Sequence, residues 1–274
     1  MGERQPFHVP KIKKEHKMKR LISFLFIAFF AVSTQAHESE THLSLSLDQG
    51  IYTDYVWRGL NFNDDGVNQG SLDVALDAQD LGTFGFNIWY NMDLSENTEY
   101  GLESDVVSEI DYTLYWEKSY EELTVGLGYI YYDFPEAGTD TREIYLALSY
   151  DTFLAPSLTI YRDIDANDGY YIDFGIGYDF EIAEGYVLNV GANIGWADDK
   201  FFEGNYQQTD KDDAGFTNYS IGASMDFAVN DYVTITPSVM WYALLGDAED
   251  EREDGTTLDD EDGFVAGVNV NVSF

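Results

Sequence analysis

A two-residue rhythm runs through this chain from Leu43 to Phe274, and it leaves few folds open. Between Leu43 and Arg58 the odd positions read Leu43, Leu45, Leu47, Gln49, Ile51, Thr53, Tyr55 and Trp57. The even positions read Ser44, Ser46, Asp48, Gly50, Tyr52, Asp54, Val56 and Arg58. Successive side chains of a strand point to opposite faces, so this alternation predicts a strand with one apolar and one polar face. Twelve such segments follow one another, at roughly 43–58, 71–79, 83–94, 107–117, 123–134, 143–151, 157–165, 170–180, 187–197, 216–227, 232–243 and 264–274. Most have the length of a tilted strand crossing a bilayer. Short and long connections largely alternate, apart from the four-residue link 166–169. Short turns at one end and long loops at the other predict an all-β, up-and-down antiparallel transmembrane barrel of twelve strands.

A soluble sandwich or lipocalin-like barrel also alternates, with its apolar face inward. Three features favour the membrane. First, Lys17–Arg20 reads KMKR, an apolar run Leu21–Val32 follows, and small residues lead to Ala36. This predicts a cleaved secretory signal over 1–36, with Met18 a possible true start, and a barrel over 37–274. Cleavage would remove seven basic and two acidic residues, leaving a chain more acidic than the −37 of the full sequence. Second, the polar faces hold many acids while the apolar faces are nearly unbroken. Third, aromatics gather near the strand ends of the apolar face. Trp57, Tyr131, Trp196 and Trp241 fall toward the loops, and Phe84, Trp116, Phe180, Phe227 and Phe274 toward the turns. Two aromatic girdles imply two membrane interfaces. The chain is thus expected in the outer membrane of a Gram-negative cell, in contact with its lipids and lipopolysaccharide.

The last residues, Val268–Phe274, alternate to the end (VNVNVSF). Lipid cannot satisfy an unpaired strand edge, so this segment is expected to close the barrel against the first strand. A terminal aromatic after alternating residues also resembles the C-terminal signal read by the outer-membrane assembly machinery, which assigns Phe274 to closure and assembly. Pro237 lies within the eleventh segment, where proline removes a ladder donor, and predicts a bulge or a misplaced boundary.

If the apolar face meets lipid, the other parity lines the lumen. The expected pore-lining residues are Asp48, Asp54, Arg58, Asp73, Asp77, Asp93, Glu109, Asp111, Glu143, Asp163 and Asp173. Arg58 is the one base on the inward face of these segments. Such a wall attracts cations and repels anions. The same acids can equally be the solvated face of a water-filled barrel. Inward tyrosines, among them Tyr52, Tyr115, Tyr132, Tyr145, Tyr161, Tyr171 and Tyr242, either bind amines by cation–π attraction or brace a narrow barrel by hydrogen bonds, and bracing is the commoner role. Arg162 falls on the apolar face near the loops. Either it reaches lipopolysaccharide phosphates or the register is off by one.

Other classes of function find no support. The chain has no Cys, and its four His stand at positions 8, 16, 37 and 42, before the first strand. No catalytic residue and no cofactor are assigned, since a serine triad would lack its base. So acidic a chain repels nucleic acid. Asp250–Glu261 (DEREDGTTLDDE) has calcium-loop spacing but Arg252 at a ligand position, so no metal site is assigned.

The stretch Thr53–Leu76 (TDYVWRGLNFNDDGVNQGSLDVAL) resembles the start of the TorF-like family of porin-type outer-membrane proteins. The matching residues are Thr53, Asp54, Tyr55, Arg58 and Gly59, then Gln69, Gly70 and Asp73. The resemblance covers about a tenth of the chain and implies a barrel that passes small solutes. Asp54 and Arg58, four residues apart on the inward face, are expected to pair at the loop-side mouth. The whole pattern predicts a passive, cation-preferring pore for small solutes. The alternative is a non-conducting structural or binding barrel with acidic, cation-binding surface loops.

Overall fold

A computed structural model describes residues 41–95, 105–184, 186–206, 214–246, 248 and 262–274. The signal segment and the acidic Asp250–Glu261 stretch lie outside the described residues. Among the described residues fourteen strands form: β1 (His42–Tyr52), β2 (Tyr55–Trp57), β3 (Leu60–Asn63), β4 (Val67–Asp77), β5 (Thr83–Asp93), β6 (Val106–Tyr120), β7 (Leu123–Phe134), β8 (Thr139–Tyr150), β9 (Ser157–Asp163), β10 (Tyr170–Ala183), β11 (Tyr186–Ala197), β12 (Gly215–Asn230), β13 (Val233–Leu244) and β14 (Asp262–Ser273). A short helix, α1 (Asp199–Asn205), sits between β11 and β12.

Twelve of the strands close one antiparallel barrel, in the order β1, β14, β13 and so on down to β4, which pairs with β1. β1 runs from Ser46 opposite Ser273 to Tyr52 opposite Gly267. The Phe274 amide donates to the Leu45 carbonyl at 2.9 Å, and the Leu45 amide donates back to Phe274 at 3.2 Å. The seam therefore has its backbone groups paired up to Phe274.

Burial is inverted relative to a soluble protein. Leu43, Ile51 and Phe264 are 60%, 61% and 74% exposed on the outer surface, whereas Asn91, Glu143 and Asp163 are 0%, 2% and 3% exposed inside. A wide apolar belt around a polar interior is stable where hydrocarbon, not water, surrounds it. Inside, tyrosines lie flat along the wall. A Cβ at Gly85 would overlap the Tyr115 ring, and that ring's hydroxyl donates to Asp73 at 2.9 Å. The glycine leaves the space that lets the ring lie against the wall.

Two expectations need correction. The segment 43–58 is not one strand, because β1 ends at Tyr52 and the chain turns into the lumen. Pro237 causes no slip: Ser224–Ser238 and Phe227–Ile235 pair in one register across it, and the irregularity falls between Ala228 and Asn230. Pro237 stays opposite Val268 of β14. Arg162 keeps its outward parity, with its guanidinium 5.1 Å from the Tyr170 ring. β8 begins earlier than expected, and Arg142 joins it on the outer face, over Tyr131 at 5.4 Å.

Candidate functional site: an acidic lumen and its inward hairpin

The segment after β1 is pinned to the rim and then folds inward. The Thr53 amide donates to Ala266 at 2.9 Å, and the Gly66 amide donates to Thr53 at 2.8 Å. Between these anchors, β2 and β3 form a hairpin whose two tip residues are Arg58 and Gly59, with Trp57 opposite Leu60. Both tip residues have positive φ, 51° and 82°, as the tightest hairpin turns require. Glycine takes this conformation freely. A Cβ at Gly59 would in addition overlap Asn218 of β12. Arginine is strained there by about 1–2 kcal/mol, and its side-chain contacts offset this.

Those contacts form a cage. The two terminal nitrogens of Arg58 each donate to one oxygen of Glu143, at 2.7 Å and 2.7 Å. Tyr132 donates to the same carboxylate at 2.8 Å. The guanidinium carbon lies 4.3 Å from the Trp57 ring, 4.4 Å from Tyr161, 4.4 Å from Tyr171 and 5.1 Å from Phe201. Burial opposes charge on Arg58, but Glu143, Tyr132 and Tyr171 together outweigh it and raise its pKa above the ordinary value. The fork geometry of guanidinium fits a carboxylate in this bidentate way.

Further contacts span the lumen. Tyr55 donates to Glu109 of β6 at 2.6 Å. Burial first, and then the Glu109 charge, push its phenol well above the usual range, so it remains a donor. Asn63 donates to Asp93 of β5 at 2.7 Å. Asn61 donates to Tyr242 of β13 at 3.0 Å and to Asp54 at 3.2 Å. The α1 segment covers the tip. The Asp198 carboxylate accepts the Phe201 amide at 3.0 Å as a helix cap, and Phe201 and Phe202 are each 1% exposed. Tyr206 donates to the Arg58 carbonyl at 2.8 Å.

The Asp54–Arg58 pair expected from sequence is thus replaced. Arg58 sits at the turn, where positive φ redirects its side chain toward β8, and Asp54 receives Asn61 instead. Trp57 and Tyr55, expected on the outer face, lie inside with the hairpin. Asp163 also differs from its expected pore-lining role. It accepts the amides of Asp165, Ala166 and Asn167 and the Thr141 hydroxyl, which fixes the β9–β10 loop. Asp77 accepts the Gln79 amide at the turn end of β4.

The other expected residues face the interior. Asp48 accepts Asn269 at 2.8 Å and Asn271 at 3.1 Å. Asp73 takes Tyr115, and Asp173 takes Asn193 at 3.1 Å. Asp111 has one buried oxygen without a hydrogen-bond partner. Hairpin contacts to Asp93, Glu109 and Glu143 gather on β5, β6 and β8. A cavity of about 920 Å³ runs along β10–β13. Asp54, Asp111, Asp173 and Asp179 line it, with no Lys or Arg.

The hairpin makes a direct prediction. Gly59→Val adds a Cβ that collides with Asn218 and a β-branched residue at positive φ, which costs about 2 kcal/mol or more. Trypsin cuts after Arg58 only when the hairpin leaves its cage. The native barrel therefore resists cleavage at that bond, and G59V is cut there rapidly while its barrel stays intact on a gel-shift assay. Equal resistance of the two proteins would show that the tip does not depend on this glycine.

No protein-family model and no curated protein matches the chain. Among solved structures it is similar to an outer membrane channel from Pseudomonas putida F1, at 13% identity and a TM-score of 0.50, over 87% of this chain and 97% of that one. It is also similar to the NanC porin, at 11% identity and a TM-score of 0.49, over 83% of this chain and 98% of that one. Such a likeness speaks to architecture: the chain has the porin-like, outer-membrane β-barrel fold, closed by twelve strands.

Proposed function

We propose that this protein is a passive outer-membrane channel for small solutes, that it prefers cations, and that its hairpin narrows the loop-side mouth. The observation that carries the reading is the 920 Å³ cavity, with four carboxylates and no base among its lining residues. An excess of charge of one sign in a narrow, low-dielectric wall concentrates counter-ions. Asp54, Asp111 and Asp173 are the lining acids assigned to selectivity. The resemblance of Thr53–Leu76 to the TorF-like family supports the same reading, and we assign the first part of the matched motif, Thr53–Gly59, to the hairpin and the second, Gln69, Gly70 and Asp73, to β4. The exposed apolar belt is assigned to outer-membrane lipid and lipopolysaccharide, and the seam at Phe274 to assembly.

The docked hairpin favours a second reading, a non-conducting binding barrel. Single-channel recording of residues 37–274 in a planar bilayer under a KCl gradient separates the two. Discrete steps with a cation-selective reversal potential are expected. Anion selectivity would refute the role of the acidic wall. A folded barrel that gives no steps would leave the binding reading in its place.

A further inference from the structure

A second cavity of about 290 Å³ lies at the loop end, beside the Arg58 cage. Its aromatic walls come from three separate parts of the chain: Trp57 and Phe62 from the hairpin, Tyr132 and Phe134 from β7, and Phe201 from α1. The Trp57 ring centroid is 6.1 Å from Phe62 and 6.1 Å from Phe201. The Tyr132 and Phe134 rings are 6.5 Å apart and stacked. Glu109, Asp140, Glu143 and Asp163 also line the space. Glu143 and Asp140 already face Arg58 and Arg142, and Asp163 the loop amides, so an entering cation shares or displaces these partners.

We propose that this cavity is a binding site for a small organic cation of the guanidinium or amidinium class, entering from the loop side. A strongly hydrated metal ion gains little from ring faces, whereas a flat, weakly hydrated cation gains from both rings and carboxylates. The surroundings already demonstrate the chemistry. Trp57, Glu143 and Phe201 line this cavity and also hold the guanidinium of Arg58. The volume suits a ligand of a few heavy atoms. Because Glu143 and Trp57 are shared, a bound cation competes with Arg58 and loosens the hairpin. The effect on current rests on the channel reading; the binding itself does not.

The test uses methylguanidinium as the probe and methylurea, its neutral near-isostere, as the control, titrated calorimetrically into the refolded barrel. Saturable binding of methylguanidinium alone is expected. Phe134→Ala, outside the Arg58 cage, weakens it about tenfold by removing one ring face. Glu109→Gln keeps an acceptor for Tyr55 and removes an ionisable carboxyl from the lining, and also weakens binding; it decides the matter if F134A fails to fold. No saturable heat, equal binding of methylurea, or binding unaltered in the folded variants would each overturn the site. Recording currents in the same preparations separates the two claims. Binding in a silent barrel would sustain the site and sink the channel, and conduction without binding would do the reverse.

Discussion

Arg58→Ala is expected to raise the single-channel conductance of the barrel and to make the open level noisy. The native side chain makes a bidentate ion pair with Glu143 at 2.7 Å on both arms and faces four aromatic rings. Its removal strands a carboxylate that is 2% exposed. Breaking a buried pair from one side costs about 3–5 kcal/mol, which shifts the docked-to-undocked ratio by roughly 10²–10⁴. The loss falls on the hairpin, because the ladder of twelve barrel strands does not run through Arg58. Arg58→Lys restores the charge but not the fork or the planar stacking, and gives an intermediate conductance. If R58A conducts like the native protein while its barrel remains folded, the hairpin does not limit the current.

Neutralising the lining acids has the second large effect. In the triple variant Asp54→Asn, Asp111→Asn and Asp173→Asn, each amide nearly preserves the shape of the acid it replaces. Asp173 already accepts from Asn193 and Asp54 from Asn61, so each of these acceptor roles survives in one oxygen of the new amide. What is lost is charge, chiefly at Asp54 and Asp173, since Asp111 lies beside the carboxyl of Glu109 with one buried oxygen unpartnered. The preference for K⁺ over Cl⁻ falls about tenfold, the low end of the enrichment that a charged cleft produces. Reversal potentials in a KCl gradient measure it. An unchanged reversal potential would move selectivity away from these residues, to the mouth or the loops.

Particular residues show where the sequence was informative. The segment 123–134 coincides with β7, and 83–94 runs one residue past β5, because period two is a local signal that each strand carries in full. The first segment misled for the same reason. Alternation continues through Tyr52, Asp54, Val56 and Arg58, and it is blind to the positive φ at Arg58 and Gly59 that turns the chain. Arg-Gly is also a weaker turn signal than Asn-Gly. The partner of Arg58 lies 85 residues away on β8, and no spacing rule reaches that far. The helix α1 was missed because seven residues are too few for a periodic pattern. Its one local sign was Asp198 ahead of Phe201 and Phe202, an acid at a cap position before a short apolar run. The acidity of the lumen was legible, since parity alone assigns Asp48, Asp73, Asp111 and Asp173 to one face. Which acids are consumed by the protein itself was not, as with Asp163 and its three backbone donors.

The hairpin also dictates an order of assembly. It hangs from β1, near the start of the barrel, yet its partners stand on β5, β6, β8 and β13. The β13 partner, Tyr242, comes within reach only once β1 has met β14 and the cylinder is closed. Contacts of such long sequence separation form late, because each must wait for the chain between them to be placed. Full docking of the hairpin is thus expected to follow closure, with Glu143 and Glu109 open to water until it is complete.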